Sequence, residues 1–272
     1  MLAGNLSDEQ IEMLLNEVWE LYGYDFTNYS KASLKRRLNR IYVIGRFPSF
    51  AEFRYRIKSE PSYIKHFVEE VTVNVTEMFR DPLYYKKLRE TVLPILGTYP
   101  FIRIWIAGCS TGEEAYSIAI LLKEANLYHK AIIYATDINA DVLTKADEGI
   151  FKLSDMKLYS ENYIKTGGVA DFSSYYSANY DRAKFNEDLK NKIIFSPHNL
   201  VSDYSFNSFQ LIICRNVLIY FNKDLQLKVL NLFDKSIENL GFLALGSKET
   251  IQISTISNQY KQLDTEKIWR KI

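Results

Sequence analysis

The chain has 272 residues, 47% of them hydrophobic and 25% charged, with a formal net charge of +1. These are ordinary values for a globular protein of one or two domains, and bulk charge names no partner, so nucleic acid is not an expected ligand. No apolar run approaches the roughly 18 residues of a membrane-spanning helix, "MLAGNLSDEQIEML" lacks a basic region with an apolar core behind it, and a cytoplasmic chain without membrane insertion or signal peptide is expected.

The first 72 residues read as a helical domain. "LSDEQIEMLLNEVWELYG" offers Ser7 as an N-cap and apolar residues Ile11, Leu14, Leu15, Val18 and Leu21 at close to helical period. "SKASLKRRLNRIYVIG", "SFAEFRYRIKS" and "SYIKHFVEEVT" supply three more helices, punctuated by Pro48 and Pro61. No strand is expected before residue 100. Residues 73–272 form the second domain. Strands are expected at Ile102–Ala107, Ala131–Thr136, Lys192–Ser196, Gln210–Cys214 and Phe242–Gly246, with helices from Glu113, Ala140 and Lys223. This alternation predicts an α/β fold: a doubly wound, mostly parallel sheet with helices on both faces. The tail "YKQLDTEKIWRKI" reads as a terminal hairpin. At about residues 155–190 the pattern breaks into a stretch rich in Tyr, Ser and Asn, with Gly167–Gly168 as a turn. It is too long for a simple connection and is expected to be a small inserted β subdomain.

Ligands in such sheets bind outside the carboxyl ends of the strands, and the chemistry-bearing residues fall there. "RIWIAGCSTGEEAYSIAI" runs from a strand through Gly108 and Gly112 into a helix that opens with Glu113 and Glu114. It lacks the lysine of a P-loop and does not fit G-x-G-x-x-G. Glycines allow close backbone approach, and helix-opening amides attract a carboxylate. The two acids would repel a phosphate; they suit a ligand with an ammonium or sulfonium, or they complement the helix dipole. Asp137, ending the next strand, is placed either to accept from ribose hydroxyls or to cap the following helix, a task Asn139 could also take. A nucleoside with a cationic amino-acid tail is S-adenosylmethionine (SAM), whose product after transfer is S-adenosylhomocysteine. In "TVNVTEMFRDP", Asn74, Thr76 and Arg80 precede the sheet; Arg80 either pairs with the SAM carboxylate or is an exposed residue at a helix cap. In "IICRNVLIYF", Arg215 and Asn216 leave a buried strand and either serve a ligand or cap the next helix. Cys109 and Cys214 are read as reduced packing residues without metal-like spacing, and no metal is expected.

The motifs "NVTEMFRDP", "AGCSTGEEAYSIA", "ATDINADVLTKADEGIF", "FSPHNL" and "IICRNVLIYF", in this order, resemble those of the CheR family of chemotaxis-receptor methyltransferases. That resemblance implies a Rossmann-like SAM-dependent protein-glutamate O-methyltransferase. It implies that Asn74, Thr76 and Arg80 hold the methionine end of SAM, that Glu114 faces the cofactor with Glu113 beside it, and that Asp137 binds the ribose. Asn199, Leu200, Asn216 and Val217 would lie near the adenosine. Arg80 and Tyr220 would act where the substrate glutamate meets the methyl group. The partners implied are cytoplasmic methylation helices of chemoreceptors or a related acidic signalling protein, with a receptor C-terminal peptide at the inserted subdomain in some members. This chain departs from the family at Met78 and at Ala115, and neither departure removes a polar contact.

The chemistry is consistent with the residue inventory. A glutamate substrate, with a reference pKa of about 4.3, is already ionised and needs no general base. The three histidines, His66, His129 and His198, form no catalytic set. In "SLKRRLNRIY", Leu34, Leu38 and Ile41 share one helix face, with Arg36 and Arg40 opposite and Arg37 flanking. This basic stripe is either a solvated face or a surface for an acidic helix; Arg36, Arg37, Arg40 and Arg215 are assigned to the substrate side. The competing functions are a SAM methyltransferase of another substrate, though no D/N-P-P-Y/F signature is present, and a non-catalytic SAM-sensing module.

Overall fold

The computed structural model describes residues 5–72, 76–263 and 265–272. Two compact units make up the chain, one comprising Met1–Asn74 and Leu218–Lys228, the other Val75–Val217 and Val229–Ile272.

The first unit is built on four helices, α1 (Asp8–Tyr22), α2 (Lys31–Ile44), α3 (Phe50–Ser59) and α4 (Pro61–Val71). Ser7 caps α1 in a full capping box: its hydroxyl accepts from the Gln10 amide, and the Gln10 side chain returns to the Ser7 amide. Gly23, in the left-handed region at φ 76°, ends the helix. Leu14, Val18, Leu38, Phe53, Phe67 and Val71 are buried on the inward faces, as helical spacing predicts. The segment Leu218–Lys228 joins this core. Tyr29 makes an antiparallel bridge to Phe221, and their rings meet edge to face at 5.0 Å.

The second unit holds a seven-stranded sheet. In chain order its elements are α5 (Pro82–Lys87), a π-turn at Leu88–Val92, α6 (Leu93–Leu96), β1 (Ile102–Ala107), α7 (Glu113–Glu124), β2 (Ala131–Asp137), α8 (Ala140–Glu148), β3 (Ile150–Lys152), α9 (Met156–Lys165), β4 (Tyr176–Asn179), β5 (Arg182–Phe185), α10 (Glu187–Lys190), β6 (Ile193–Pro197), β7 (Phe209–Cys214), the part of α11 (Lys223–Ser236) from Val229 onward, β8 (Ile237–Leu245), β9 (Tyr260–Gln262) and β10 (Ile268–Lys271). The sheet order is β6-β2-β1-β7-β8-β10-β9. The first five strands of that order are parallel, while β10 runs antiparallel to β8 and to β9. This is the expected Rossmann-like sheet with its terminal hairpin at one edge. The chain winds outward from β1 in both directions, so the switch point lies between β1 and β7, where a crevice opens at the carboxyl ends. β8 begins earlier than the sequence suggests, at Ile237, because a register irregularity opposite Phe209–Leu211 absorbs the polar stretch before Gly241.

The break in pattern near residue 155 is an ordered subdomain. β3, β5 and β4 form a separate antiparallel sheet whose first strand lies just before the break. It packs on α7: the Tyr116 ring meets Phe151 at 5.6 Å and Phe185 at 5.4 Å. Phe79, Tyr163, Phe172 and Tyr175 continue that aromatic layer. Glu124, at the end of α7, accepts from the hydroxyls of Tyr163 and Tyr175 and pairs with Arg89. Covered by both sheets, α7 is apolar nearly all round. Among the described residues, no helix is long and apolar enough to cross a membrane.

Candidate active site

The loops after β1, β2 and β7 meet at the carboxyl edge of the sheet. Gly108 and Gly112 both lie in the left-handed region, at φ 79° and 94°. What approaches them is protein. A Cβ on Gly108 would sit 2.4 Å from Val217 Cγ2, and one on Gly112 would sit 2.9 Å from the Ala146 Cβ. The glycines therefore let the β7 loop and α8 close against the β1 loop, a packing reason added to the expected ligand reason.

Asp137 ties two of these loops together. Its Oδ2 accepts from the Ser110 amide at 2.9 Å and its Oδ1 from the Asn139 amide at 3.0 Å. Asn139, whose Oδ1 accepts from the Asp141 amide, is the cap of α8, which leaves Asp137 free of that task. Burial pushes the Asp137 carboxyl above its ordinary value, against the pull of those amides. Beside it, Ser110 Oγ and Asn139 Nδ2 are buried with no hydrogen-bond partner among the described residues. Orphaned polar atoms around a carboxylate with lone pairs to spare fit a hydroxyl-bearing ligand such as a ribose.

Glu113 is buried, and its carboxyl accepts from the Thr111 hydroxyl. Burial raises its pKa to about 7, partly offset by the Thr111 hydrogen bond. Such a group is stabilised by an arriving cation. Glu114 is held instead by protein: its Oε1 accepts from Arg215 Nη1 at 3.0 Å and from the Tyr85 hydroxyl at 3.1 Å.

Arg215, expected on the substrate side, has its guanidinium among protein groups. Its side chain is 3% exposed. It pairs with Glu114, with Asp81 Oδ2 at 2.6 Å and with the Arg80 carbonyl at 3.1 Å, and its guanidinium lies 4.1 Å from the Tyr84 ring centroid. Burial opposes its charge, but Glu114 and the two tyrosines more than restore it, so its pKa moves up. Arg215 is a tie between the β7 end, α7 and the segment before α5. The sequence offered no sign of Asp81 or Tyr85 as its partners, because a salt bridge over so long a separation leaves no local pattern.

Arg80 sits between Phe79 and Asp81, both left-handed at φ 53° and 61°. Such strained backbone persists only where the surroundings over-determine it. Here the Phe79 amide donates to Ser117 Oγ at 3.1 Å, Asn162 Nδ2 donates to the Met78 carbonyl at 3.1 Å, and Arg215 holds the Arg80 carbonyl. The half-buried Thr76 precedes this segment, whereas Asn74 lies outside the described residues. After β6, the His198 amide donates to the Asp137 carbonyl, which draws Asn199 and Leu200 beside the β2 end. Asn199 Oδ1 serves its own turn, accepting from Val201. Asn216, left-handed at φ 60°, and Val217 follow Arg215. Burial raises the thiols of Cys109 and Cys214 well above their ordinary value, as packing residues require.

Tyr220 belongs to the helical unit. The Arg37 guanidinium lies 4.5 Å from its ring centroid. Arg37 was expected to flank an exposed stripe; it is buried at 8% exposure and donates to the Val71 carbonyl. Burial lowers its pKa, with Tyr220 opposing. The flanking position on the wheel faces inward because α4 and the Tyr220 segment pack there. Arg36 and Arg40 remain exposed.

Comparison with known proteins finds two family models along the chain. The all-alpha domain of CheR methyltransferases matches residues 9–72, and their SAM binding domain matches residues 74–268. A Pseudomonas putida protein named "Putative methyltransferase Cher3" is 43% identical over 274 residues, covering 100% of both chains. A "Chemotaxis protein methyltransferase" of Listeria monocytogenes is 30% identical, with 84% of this chain and 85% of that protein aligned. "Chemotaxis protein methyltransferase 2" of Pseudomonas aeruginosa is 30% identical, with 89% and 86% aligned.

Proposed function

The chain belongs to the CheR methyltransferase family, and from that premise we propose that it methylates glutamate side chains of chemoreceptors in chemotaxis adaptation. It is a SAM-dependent methyltransferase. The observation that carries the reading is the joining of the β1 loop to Asp137, with buried polar atoms left over beside that carboxylate.

Bound SAM supplies an electrophilic methyl group on a sulfonium. Asp137, with Ser110 and Asn139 around it, takes the ribose hydroxyls. Glu113, whose pKa burial raises to about 7, is favoured in its ionised form beside the cationic end of the ligand. Thr76 and Arg80 hold the methionine end, the planar fork of Arg80 pairing with its carboxylate. Asn199, Leu200, Asn216 and Val217 lie on the adenosine side.

No general base is required. The substrate glutamate is already an anion at neutral pH, so no residue of this chain has to take a proton for it to accept the methyl group that bound SAM would supply. Both charges are neutralised together, so positioning and exclusion of water are what the protein contributes. Arg80 orients the reacting groups; the role of Tyr220 rests on the family resemblance alone. The exposed Arg36 and Arg40 on α2 suit an acidic receptor helix.

The test is methyl transfer from labelled SAM to receptor-bearing membranes, followed by mild base. Label released as methanol and lost in Arg80→Ala establishes a carboxyl methyl ester. Label that survives base means methylation at nitrogen, sulfur or an ether oxygen and refutes the glutamate assignment.

A further inference from the structure

The turn Asn216–Val217 is held from outside its own segment. Glu249, after β8, is 4% exposed. Its Oε2 accepts from the Asn216 amide at 3.0 Å and the Gly246 amide at 2.6 Å, and its Oε1 accepts from the Val217 amide at 2.9 Å. A buried carboxylate gathering main-chain amides is a strong, charge-assisted anchor. Gly246 makes the approach possible, since a Cβ there would lie 2.8 Å from Glu249 Oε2 and 2.9 Å from the Asn216 amide nitrogen. Asn216 needs such an anchor because it is left-handed. Val217 in turn seats against Gly108. Hydrogen bonds and packing therefore run from Glu249 through the β7 loop to the glycine loop of β1. Arg215, one residue earlier, is fixed independently by Glu114 and Asp81.

We propose that Glu249 is a positioning residue for the cofactor: its carboxylate sets the Asn216–Val217 turn against Gly108 and so shapes the adenosine side of the site without touching the ligand. The proposal rests on the SAM reading of this edge. Substitution by glutamine turns an NH2 group toward main-chain amides and leaves one oxygen for the three donors. The turn relaxes, and the bound conformation must be reordered when the ligand arrives.

The experiment is calorimetric titration of the full chain with S-adenosylhomocysteine, below the unfolding range of every variant. Glu249→Gln is compared with Glu124→Gln, which disturbs a buried carboxylate at the far end of α7. Glu249→Gln is expected to weaken binding about tenfold, some 1.4 kcal/mol, while Glu124→Gln stays within twofold of wild type. If Glu249→Gln fails to fold, Gly246→Ala pushes the carboxylate from the Asn216 amide with its charge intact and is expected to weaken binding likewise. Affinity unchanged in the folded variant, or reduced equally in Glu124→Gln, overturns the proposal. Wild-type protein that binds no S-adenosylhomocysteine refutes the cofactor reading and the proposal with it.

Discussion

The pair Arg215–Glu114 offers a sharp test of the energetics. Its side chains are 3% and 13% exposed and meet at 3.0 Å. Removing one partner of a buried pair strands the other, at a cost of about 3–5 kcal/mol. The second partner, Asp81, is 47% exposed, and that contact adds less than about 1 kcal/mol. Arg215→Met therefore destabilises by about 4 kcal/mol, with Tm lowered by roughly 10 °C for a domain of this size. Glu114→Gln keeps an acceptor and a donor in place and costs less, about 2 kcal/mol. In the double variant neither charge is stranded, and the combined loss is smaller than the sum by about 2 kcal/mol. Urea unfolding followed by far-UV circular dichroism, with intrinsic tryptophan fluorescence as a second probe, measures all four corners of the cycle. Additivity within about 0.5 kcal/mol would refute the picture of a mutually dependent buried pair.

Three further outcomes are expected. Glu113 has a folded pKa near 7 against an ordinary 4.5, so the native state holds the extra proton and ligand-free stability falls as pH rises from 4.5 towards 7. Glu113→Gln removes that loss, on the order of 3 kcal/mol at pH 8, and denaturant midpoints that track wild type at pH 5.5 and 8 would contradict it. Gly108→Ala places a Cβ 2.4 Å from Val217 Cγ2 on left-handed backbone; it should cost about 2–3 kcal/mol in thermal unfolding and weaken S-adenosylhomocysteine binding. Arg36→Glu with Arg40→Glu should raise the receptor KM while leaving S-adenosylhomocysteine affinity alone, and an unchanged KM removes this patch from recognition.

Periodicity and punctuation made most of the fold legible. The strand at Ile102–Ala107 and the helix starts at Glu113, Ala140 and Lys223 coincide with the observed elements, because each is set by short-range pattern, with a side-chain cap from Asn139 at Ala140. The carboxyl-end loops were legible for the same reason, since parallel strands put them on one edge. The roles of Arg37 and Arg215 were not. Arg37 reads as flanking a basic stripe and Arg215 as a ligand or cap group at a strand end; only the neighbours brought by folding show which protein groups each one meets.

The sequence by itself determined the elements, the family likeness and the candidate residues, because local periodicity and short motifs are properties of contiguous chain. Tertiary structure alone decided which charges are spent inside the protein. Arg215 closes on Asp81 and Glu114, Arg37 on Val71 and Tyr220, and Glu249 on the Asn216–Val217 turn. These partners are far apart in the chain. The strength of each contact comes from desolvation, which exists only once the core has closed around it.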